Sequence, residues 1–83
     1  MKIVWDEPKR IANLEKHGLD FAALTLEFFL YAVIDEAKGE RMMAIGYLDG
    51  ELVIAVVFRP LGSEALSVIS MRRANQKERS KIP

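Results

Sequence analysis

Three side chains that can do proton-transfer or phosphate chemistry stand near the two ends of this 83-residue chain. Histidine is the side chain that ordinarily exchanges its proton near neutral pH, and His17 is the one histidine present. Arg72, at the end of a predicted strand, can hold a phosphate by two parallel hydrogen bonds, and Lys9 can offer a compact positive charge. These three are therefore the candidates for a site that binds phosphate and moves protons.

Two of these candidates also have an ordinary structural interpretation. His17 precedes Gly18, and it can simply close the C-terminus of the first helix. Lys9 can form a surface ion pair with Asp6, which is worth less than about 1 kcal/mol. The residue types alone leave both interpretations open.

The opening helix must position two of the candidates. It is expected to begin at Asp6-Glu7-Pro8 and to end near His17, because Gly18 is a natural left-handed stop. Ile11 and Leu14 are predicted to form its apolar back. Its polar front is predicted to carry Lys9, Asn13 and Lys16.

The remaining pattern predicts an α+β fold, with two N-terminal helices packed on a small antiparallel meander sheet and a short C-terminal helix. All helices are expected on one side of that sheet. Asp49-Gly50 is a strong hairpin signal between two of its strands. Helices are predicted at 21–29 and 73–81, an edge strand at 3–5, and further strands at 31–34, 40–47, 51–58 and 65–72. Core positions are predicted at Phe21, Leu24, Phe28, Phe29, Leu52, Ile54, Val56 and Ile69.

Composition limits the class of protein. The length suits a single domain spanning 1–83, and half of the residues are hydrophobic, as in ordinary folded proteins. Cysteine is absent and histidine occurs once, so disulfides and zinc sites built from these residues are excluded. We expect no metal or organic cofactor. No apolar run is long enough to cross a bilayer, which favours a cytoplasmic protein without membrane contacts.

Charge is unevenly distributed along a chain whose net charge is zero. Residues 18–64 carry eight acidic and three basic side chains, whereas residues 65–83 carry five basic side chains and one acidic one. A basic end on an acidic body is typical of an edge that binds phosphate or an acidic partner. A solvated basic helix end is the equally open alternative.

Two groups of residues, spread over nearly the whole chain, resemble the signature of the BrnT family. The N-terminal group comprises Trp5-Asp6, Lys9, Asn13, Lys16-His17-Gly18 and Phe21. The C-terminal group comprises Glu40-Arg41, Gly46, Ile69-Ser70, Arg72, Ala74 and Glu78-Arg79. Each element is weak alone, but all of them occur in the family's order.

The resemblance implies a RelE-like toxin of a type II toxin–antitoxin system. Such a toxin is a metal-independent endoribonuclease that inhibits translation by cutting RNA through the substrate's own 2′-hydroxyl. It is neutralised by a BrnA-like antitoxin with a ribbon-helix-helix part, so that DNA is reached only through the antitoxin. Whether the toxin also forms a homodimer stays open.

The resemblance also suggests roles for individual residues. Lys9, His17 and Arg72 are the predicted catalytic residues. Arg72 and Lys9 would stabilise the phosphate, and His17 would transfer protons. The predicted RNA-binding residues are Trp5, Arg41, Arg73, Lys77 and Arg79.

Several of these RNA-binding predictions have alternatives. A lone tryptophan such as Trp5 is more often part of a core, and a half-buried position is favoured. Arg41 can instead pair with Glu51 across two strands.

A second function is compatible with the same residues. Family members often carry an arginine where this chain has Ser67, and a tyrosine commonly follows the pair matched by Glu78-Arg79. Their absence favours a catalytically weak or inactive module that binds an antitoxin and co-regulates its DNA binding. RNA cleavage by the purified protein would distinguish the two functions.

Overall fold

The computed structural model describes residues 1–83 and shows an α+β protein with one five-stranded sheet. The strands are β1 (Lys2–Trp5), β2 (Val33–Glu36), β3 (Met42–Leu48), β4 (Leu52–Leu61) and β5 (Ala65–Arg73). The helices are α1 (Glu7–His17), α2 (Leu26–Tyr31) and α3 (Gln76–Arg79), and a single 3₁₀ turn covers Phe21–Ala23. Every helix is too short or too polar to span a bilayer.

The sheet combines an antiparallel meander with one parallel edge strand. The spatial order is β1-β5-β4-β3-β2, in which β2 to β5 pair antiparallel with their chain neighbours. The predicted hairpin is confirmed: Asp49 and Gly50 both have positive φ, as a tight β3–β4 turn requires. β1 is an edge strand, as predicted, but it runs parallel to β5, with Trp5 beside Val68.

A β-bulge in β5 decides which of its side chains share a face. Phe58 pairs with Val68 and Val57 pairs with Ser70, so Ile69 is an extra residue without a partner. Ile69 is half-buried and outside the main core cluster, so the prediction that it belongs to the core is wrong. Beyond the bulge, Met71 is fully buried with the core.

The predicted orientation of α1 is wrong for Asn13, Ile11 and Leu14, although Lys9 and Lys16 are exposed as a polar front requires. Asn13 is only 8% exposed, whereas Ile11 and Leu14 are 47% and 39% exposed. The Asn13 side chain donates a hydrogen bond from Nδ2 to the Leu19 carbonyl and accepts one at Oδ1 from the Met71 amide, both at 3.1 Å. β5 continues past the end of β1, so the Met71 amide on its edge has no strand partner. This amide needs a hydrogen-bond acceptor, which Asn13 supplies and an apolar side chain could not.

The predicted single helix over 21–29 is also wrong. Asp20 caps the short 3₁₀ turn by accepting a hydrogen bond from the Ala22 amide. The chain is then extended at Leu24 and Thr25, and the Thr25 hydroxyl accepts from the Phe28 amide to begin α2. Two capping side chains thus interrupt a sequence whose apolar content suggested continuity.

The helices lie on both faces of the sheet, which contradicts the predicted one-sided packing. The main core lies on the α1 and α2 face and includes Phe21, Phe28, Ile54, Val56, Val68 and Met71. Ile45 and Ala55 are also buried, yet they lie outside this cluster and alternate onto the other face. α3 lies over that second face: Arg72 and Asp35, whose side chains are on it, bond to Glu78 and Lys81.

Candidate active site

The part of the second sheet face that α3 leaves uncovered carries hydroxyl and cationic side chains, and we call it the open face. In the register, Arg72 lies opposite Ala55, Ser70 opposite Val57, and Ser67 opposite Arg59. Strand alternation places these side chains on the face away from α1 and α2. The open face comprises Val4, Met43, Val57, Arg59, Ser67, Ser70 and Arg72.

Arg72 is held in place by a two-point ion pair with α3. Its Nη1 and Nη2 atoms donate to the two carboxylate oxygens of Glu78 at 2.7 and 2.9 Å. The Glu78 side chain is 10% exposed, and it also accepts a hydrogen bond from the Asn75 amide as part of a capping box. The Arg72 guanidinium holds the pKa of Glu78 below its usual range, and Glu78 raises the pKa of Arg72. The charged pair is therefore the stable form at neutral pH.

One edge of the Arg72 guanidinium stays free. Glu78 uses one hydrogen each from Nη1 and Nη2, and the second Nη1 hydrogen points to the Arg73 carbonyl at 3.3 Å. The Nε hydrogen and the second Nη2 hydrogen therefore have no protein partner, and they point in the same direction. A guanidinium edge of this kind matches two oxygens of a phosphate. The Arg72 side chain is 37% exposed, so part of it is in contact with solvent.

Lys9 and His17 flank the contact between α1 and β5. They lie four residues before and four residues after Asn13, which places them on its side of the helix about 6 Å away in each direction. Asn13 bonds to Met71, the residue next to Arg72. Lys9 is exposed and His17 half-buried, and neither side chain forms a hydrogen bond or ion pair, so the surface pair of Lys9 with Asp6 is absent.

No direct bond joins Arg72 to the two candidates on α1. Met71 faces the core below α1, whereas Arg72 alternates to the open face and bonds to α3. Lys9 and His17 therefore lie on the side of α1 whose Asn13 contacts β5, and Arg72 lies on the adjoining face of the sheet.

Trp5 is half-buried, as predicted, and belongs to a network of charged side chains. Its indole Nε1–H donates to Glu7 at 3.1 Å, and its ring meets Phe21 edge-to-face with centroids 6.5 Å apart. Arg10 links Glu7, at 2.6 Å, to Asp20, at 3.0 Å. The hydrogen bond from Arg10, and to a smaller extent that from Trp5, lowers the pKa of Glu7. The network fixes the start of α1 against the core.

The remaining predicted RNA-binding residues are spread over several surfaces. Arg41 is exposed just before β3, at the end of the sheet where Met42 pairs with Phe58. Glu51 lies at the opposite end of that strand pair, so the alternative cross-strand partner is ruled out. Arg73 pairs with Ile54 and therefore alternates away from the open face. Lys77 and Arg79 are exposed on α3.

Arg59 is a basic residue of the open face that was not among the predicted site residues. It is exposed and lies opposite Ser67 on the open face. The sequence did not predict this position, because the predicted strand ends at residue 58. In the structure β4 continues through Pro60 to Leu61, three residues further, and includes Arg59. No group of three or more acidic, histidine or cysteine side chains comes together at metal-binding spacing.

The match to a protein family places this chain in a class. A family model described as "Ribonuclease toxin, BrnT, of type II toxin-antitoxin system" matches residues 5–78. The chain therefore belongs to the BrnT family, and it is a ribonuclease toxin of a type II toxin–antitoxin system. Membership of such a system implies an antitoxin partner.

A solved structure supports the same assignment. The chain is similar to the Brucella abortus ribonuclease toxin BrnT, whose crystal structure was determined at 1.1 Å. The two share 63% sequence identity over 92% of this chain and 99% of that chain, with a TM-score of 0.87. No curated protein sequence matches the chain.

Proposed function

We propose that residues 1–83 act as one RelE-like toxin domain that cuts RNA internally, without a metal ion, and inhibits translation in the cytoplasm. The observation that carries this proposal is the Arg72 guanidinium, which Glu78 holds while its Nε–Nη2 edge stays free on the open face. A pre-oriented donor pair of this kind stabilises charge that develops on a phosphate.

The proposed reaction needs only the RNA and side chains of this chain. The 2′-oxygen attacks the adjacent phosphorus, the bond to the 5′-oxygen breaks, and the products are a 2′,3′-cyclic phosphate and a 5′-hydroxyl. One proton leaves the 2′-hydroxyl and one reaches the 5′-oxygen, and His17 is the proposed group for proton transfer. Arg72 and Lys9 are the proposed groups that stabilise the negative charge.

The contact between Asn13 and Met71 supports a shared site. It holds the turns of α1 that carry Lys9 and His17 against the β5 segment that continues into Arg72. A phosphate at this edge of β5 would meet the free edge of Arg72 from one side and α1 from the other. Glu78 is proposed as a positioning residue, because it touches Arg72 rather than the RNA.

Binding of the RNA backbone is proposed to involve both the open face and the basic end of the chain. Arg59 and Arg41 lie toward the far end of the sheet from the β3–β4 hairpin, and they can contact neighbouring phosphates. Trp5, Arg73, Lys77 and Arg79 stay predictions as RNA-binding residues. The partner is proposed to be a BrnA-like ribbon-helix-helix antitoxin, through which DNA is contacted indirectly.

Cleavage of RNA in the presence of a chelator tests the reaction. We expect the purified protein to cut RNA in excess EDTA and to leave 5′-hydroxyl ends, which a kinase can label directly. Loss of cleavage in EDTA with recovery on adding Mg²⁺ would contradict metal independence.

Substitution of Arg72 tests the site. Arg72→Ala is expected to lower the cleavage rate by about 10²-fold or more while the variant stays folded by circular dichroism. Arg72→Lys should recover little, because lysine keeps the charge but loses the two-point edge. Lys38→Ala, an exposed cation in the β2–β3 connection, is the matched control. Cleavage by Arg72→Ala at the normal rate would show that the assignment is wrong.

A further inference from the structure

The three large apolar residues with the highest exposed fractions lie in or beside α2. Leu30 and Tyr31 are 75% and 79% exposed, and Met1 is 63% exposed. They border two adjoining grooves of about 520 and 630 Å³ that share Glu27 and Tyr31. We call these side chains, together with Leu26 and Tyr47, the α2 surface. Contiguous exposed apolar patches mark interaction surfaces.

The α2 surface is held as a preformed platform. α2 has six residues; Phe28 is buried and Phe29 packs against the core, which leaves Leu26, Leu30 and Tyr31 exposed to solvent. Gly46 of β3 lets the helix approach closely, because a Cβ there would lie 3.2 Å from Cε1 of Phe28 and 3.4 Å from Cα of Ala32. The chain from Phe28 to Ala32 is therefore packed closely on β3.

The charges around the grooves select the kind of partner. Glu27 borders both grooves and Asp49 borders the one beside the β3–β4 hairpin, and apart from the amino group of Met1 no cationic group lines either groove. An apolar surface with carboxylates at its rim complements a segment that combines apolar and cationic side chains. The same carboxylates repel RNA, and a symmetric contact with a second copy would place like charges against each other.

We propose that the α2 surface binds a cationic amphipathic segment of a partner protein. Its apolar side chains would fill the two grooves on either side of Tyr31, and its lysine or arginine side chains would face Glu27 and Asp49. None of these residues belongs to the candidate active site, so the inference does not depend on the proposed cleavage chemistry.

Two synthetic peptides test the inference with the full-length protein. Both carry leucines at helical spacing, and the remaining positions are lysine in one and glutamate in the other. Fluorescence anisotropy at low salt measures affinity, and amide shifts in ¹⁵N-labelled protein locate the contact. We expect the lysine peptide to bind, with the largest shifts in α2 and the β3–β4 hairpin, and the glutamate peptide to bind at least about tenfold more weakly.

Variants separate the apolar and the charged contributions. Leu30→Ala is expected to weaken lysine-peptide binding by about tenfold, whereas Ile11→Ala, an exposed apolar residue on α1, should leave it unchanged. Glu27→Gln combined with Asp49→Asn should reduce the preference for the lysine peptide while keeping the hairpin turn. Leu30→Ala should retain full RNA cleavage.

Three outcomes would overturn the inference. The first is equal affinity for the two peptides or no binding of either. The second is a contact that maps to α1 or α3. The third is concentration-dependent self-association through the α2 surface, seen by sedimentation and abolished by Leu30→Ala, because a second copy would then be the occupant.

Discussion

The open face and the α2 surface both lie in solvent, but they present their side chains in different ways. On the open face, Arg72 is oriented by Glu78 through two hydrogen bonds of 2.7 and 2.9 Å. On the α2 surface, Leu30 and Tyr31 project from a helix that is firmly seated by Phe28 and Gly46. Directional bonds suit a reaction that needs one charge in one place, whereas a rigid apolar platform suits a partner that brings its own polar contacts.

The largest difference between the two regions is expected when the contact between α1 and β5, next to the open face, is removed. Asn13→Ala removes the partners of the Met71 amide and the Leu19 carbonyl, both at a buried side chain. We expect the free energy of unfolding to fall by about 2–4 kcal/mol, measured by urea denaturation. Below the new melting temperature, lysine-peptide binding should persist while RNA cleavage falls.

Asn13→Asp sharpens that result, because it keeps an acceptor for Met71 but loses the donor to Leu19. Lys16→Ala, an exposed neighbour on α1, is the control and should stay within about 0.5 kcal/mol of the parent. An unchanged unfolding midpoint for Asn13→Ala would show that this contact does not hold α1 to the sheet.

Of these two regions, Glu78 should affect only the open face. Glu78→Gln keeps the size of the side chain but weakens the two-point pair, so Arg72 loses its fixed orientation. We expect the cleavage rate to fall by about tenfold, equivalent to about 1.4 kcal/mol, mainly in kcat rather than KM. Lysine-peptide affinity should not change. A cleavage rate equal to that of the parent would contradict a positioning role for Glu78.

Arg59 should affect RNA affinity more than the chemical step. Arg59→Ala is expected to raise KM or the dissociation constant for RNA, and to reduce the salt dependence of binding by about one phosphate contact. The matched Leu30→Ala variant should leave this slope unchanged. An identical salt slope for Arg59→Ala would remove Arg59 from the RNA-binding surface.

The pH dependence of stability should also originate near the open face. Because the pKa of Glu78 lies below the ordinary value of 4.5, the folded state holds its carboxylate in the charged form. The contribution of the Glu78 carboxylate to the free energy of unfolding is complete above about pH 4.5. It is lost as the pH falls through the lowered pKa of the folded state. Glu78→Gln should therefore flatten the acid side of the unfolding curve. Glu7 and Asp20, whose pKa values are also lowered, would supply the acid sensitivity that remains.

The smallest effect is expected at the end of α3. Lys81 pairs with Asp35 at 2.6 Å, but both side chains are about two-fifths exposed. Lys81→Ala should lower the free energy of unfolding by less than about 1 kcal/mol, and high salt should remove the difference. A loss well above that value would show that this pair anchors α3.

Much of the local structure could be predicted from short stretches of sequence. Asp49-Gly50 specifies a tight hairpin because both residues tolerate positive φ, and Gly18 ends α1 for the same reason. The half-buried position of Trp5 and the family of the protein were likewise accessible from residue types and their order. These features depend on each residue and its near neighbours.

The arrangement of faces could not be predicted in this way. Asn13 points inward only because β5 continues past β1 and leaves the Met71 amide without a strand partner. Arg72 shares the open face with Ser67 and Arg59 only because the extra residue Ile69 shifts the alternation of β5 by one position. Helix periodicity shows which side chains share one side of a helix. It does not show which side of the helix will contact the unpaired edge of a strand.

The sequence by itself determined the first helix, most of the strands, the hairpin turn and the family, because these follow from backbone preferences and from the order of residues along the chain. Only the tertiary structure decided that α3 lies on the opposite face from α1 and that Arg72 is oriented by Glu78. Those contacts join residues whose separation in space depends on how the sheet twists, pairs and is covered, which no local pattern of residues encodes.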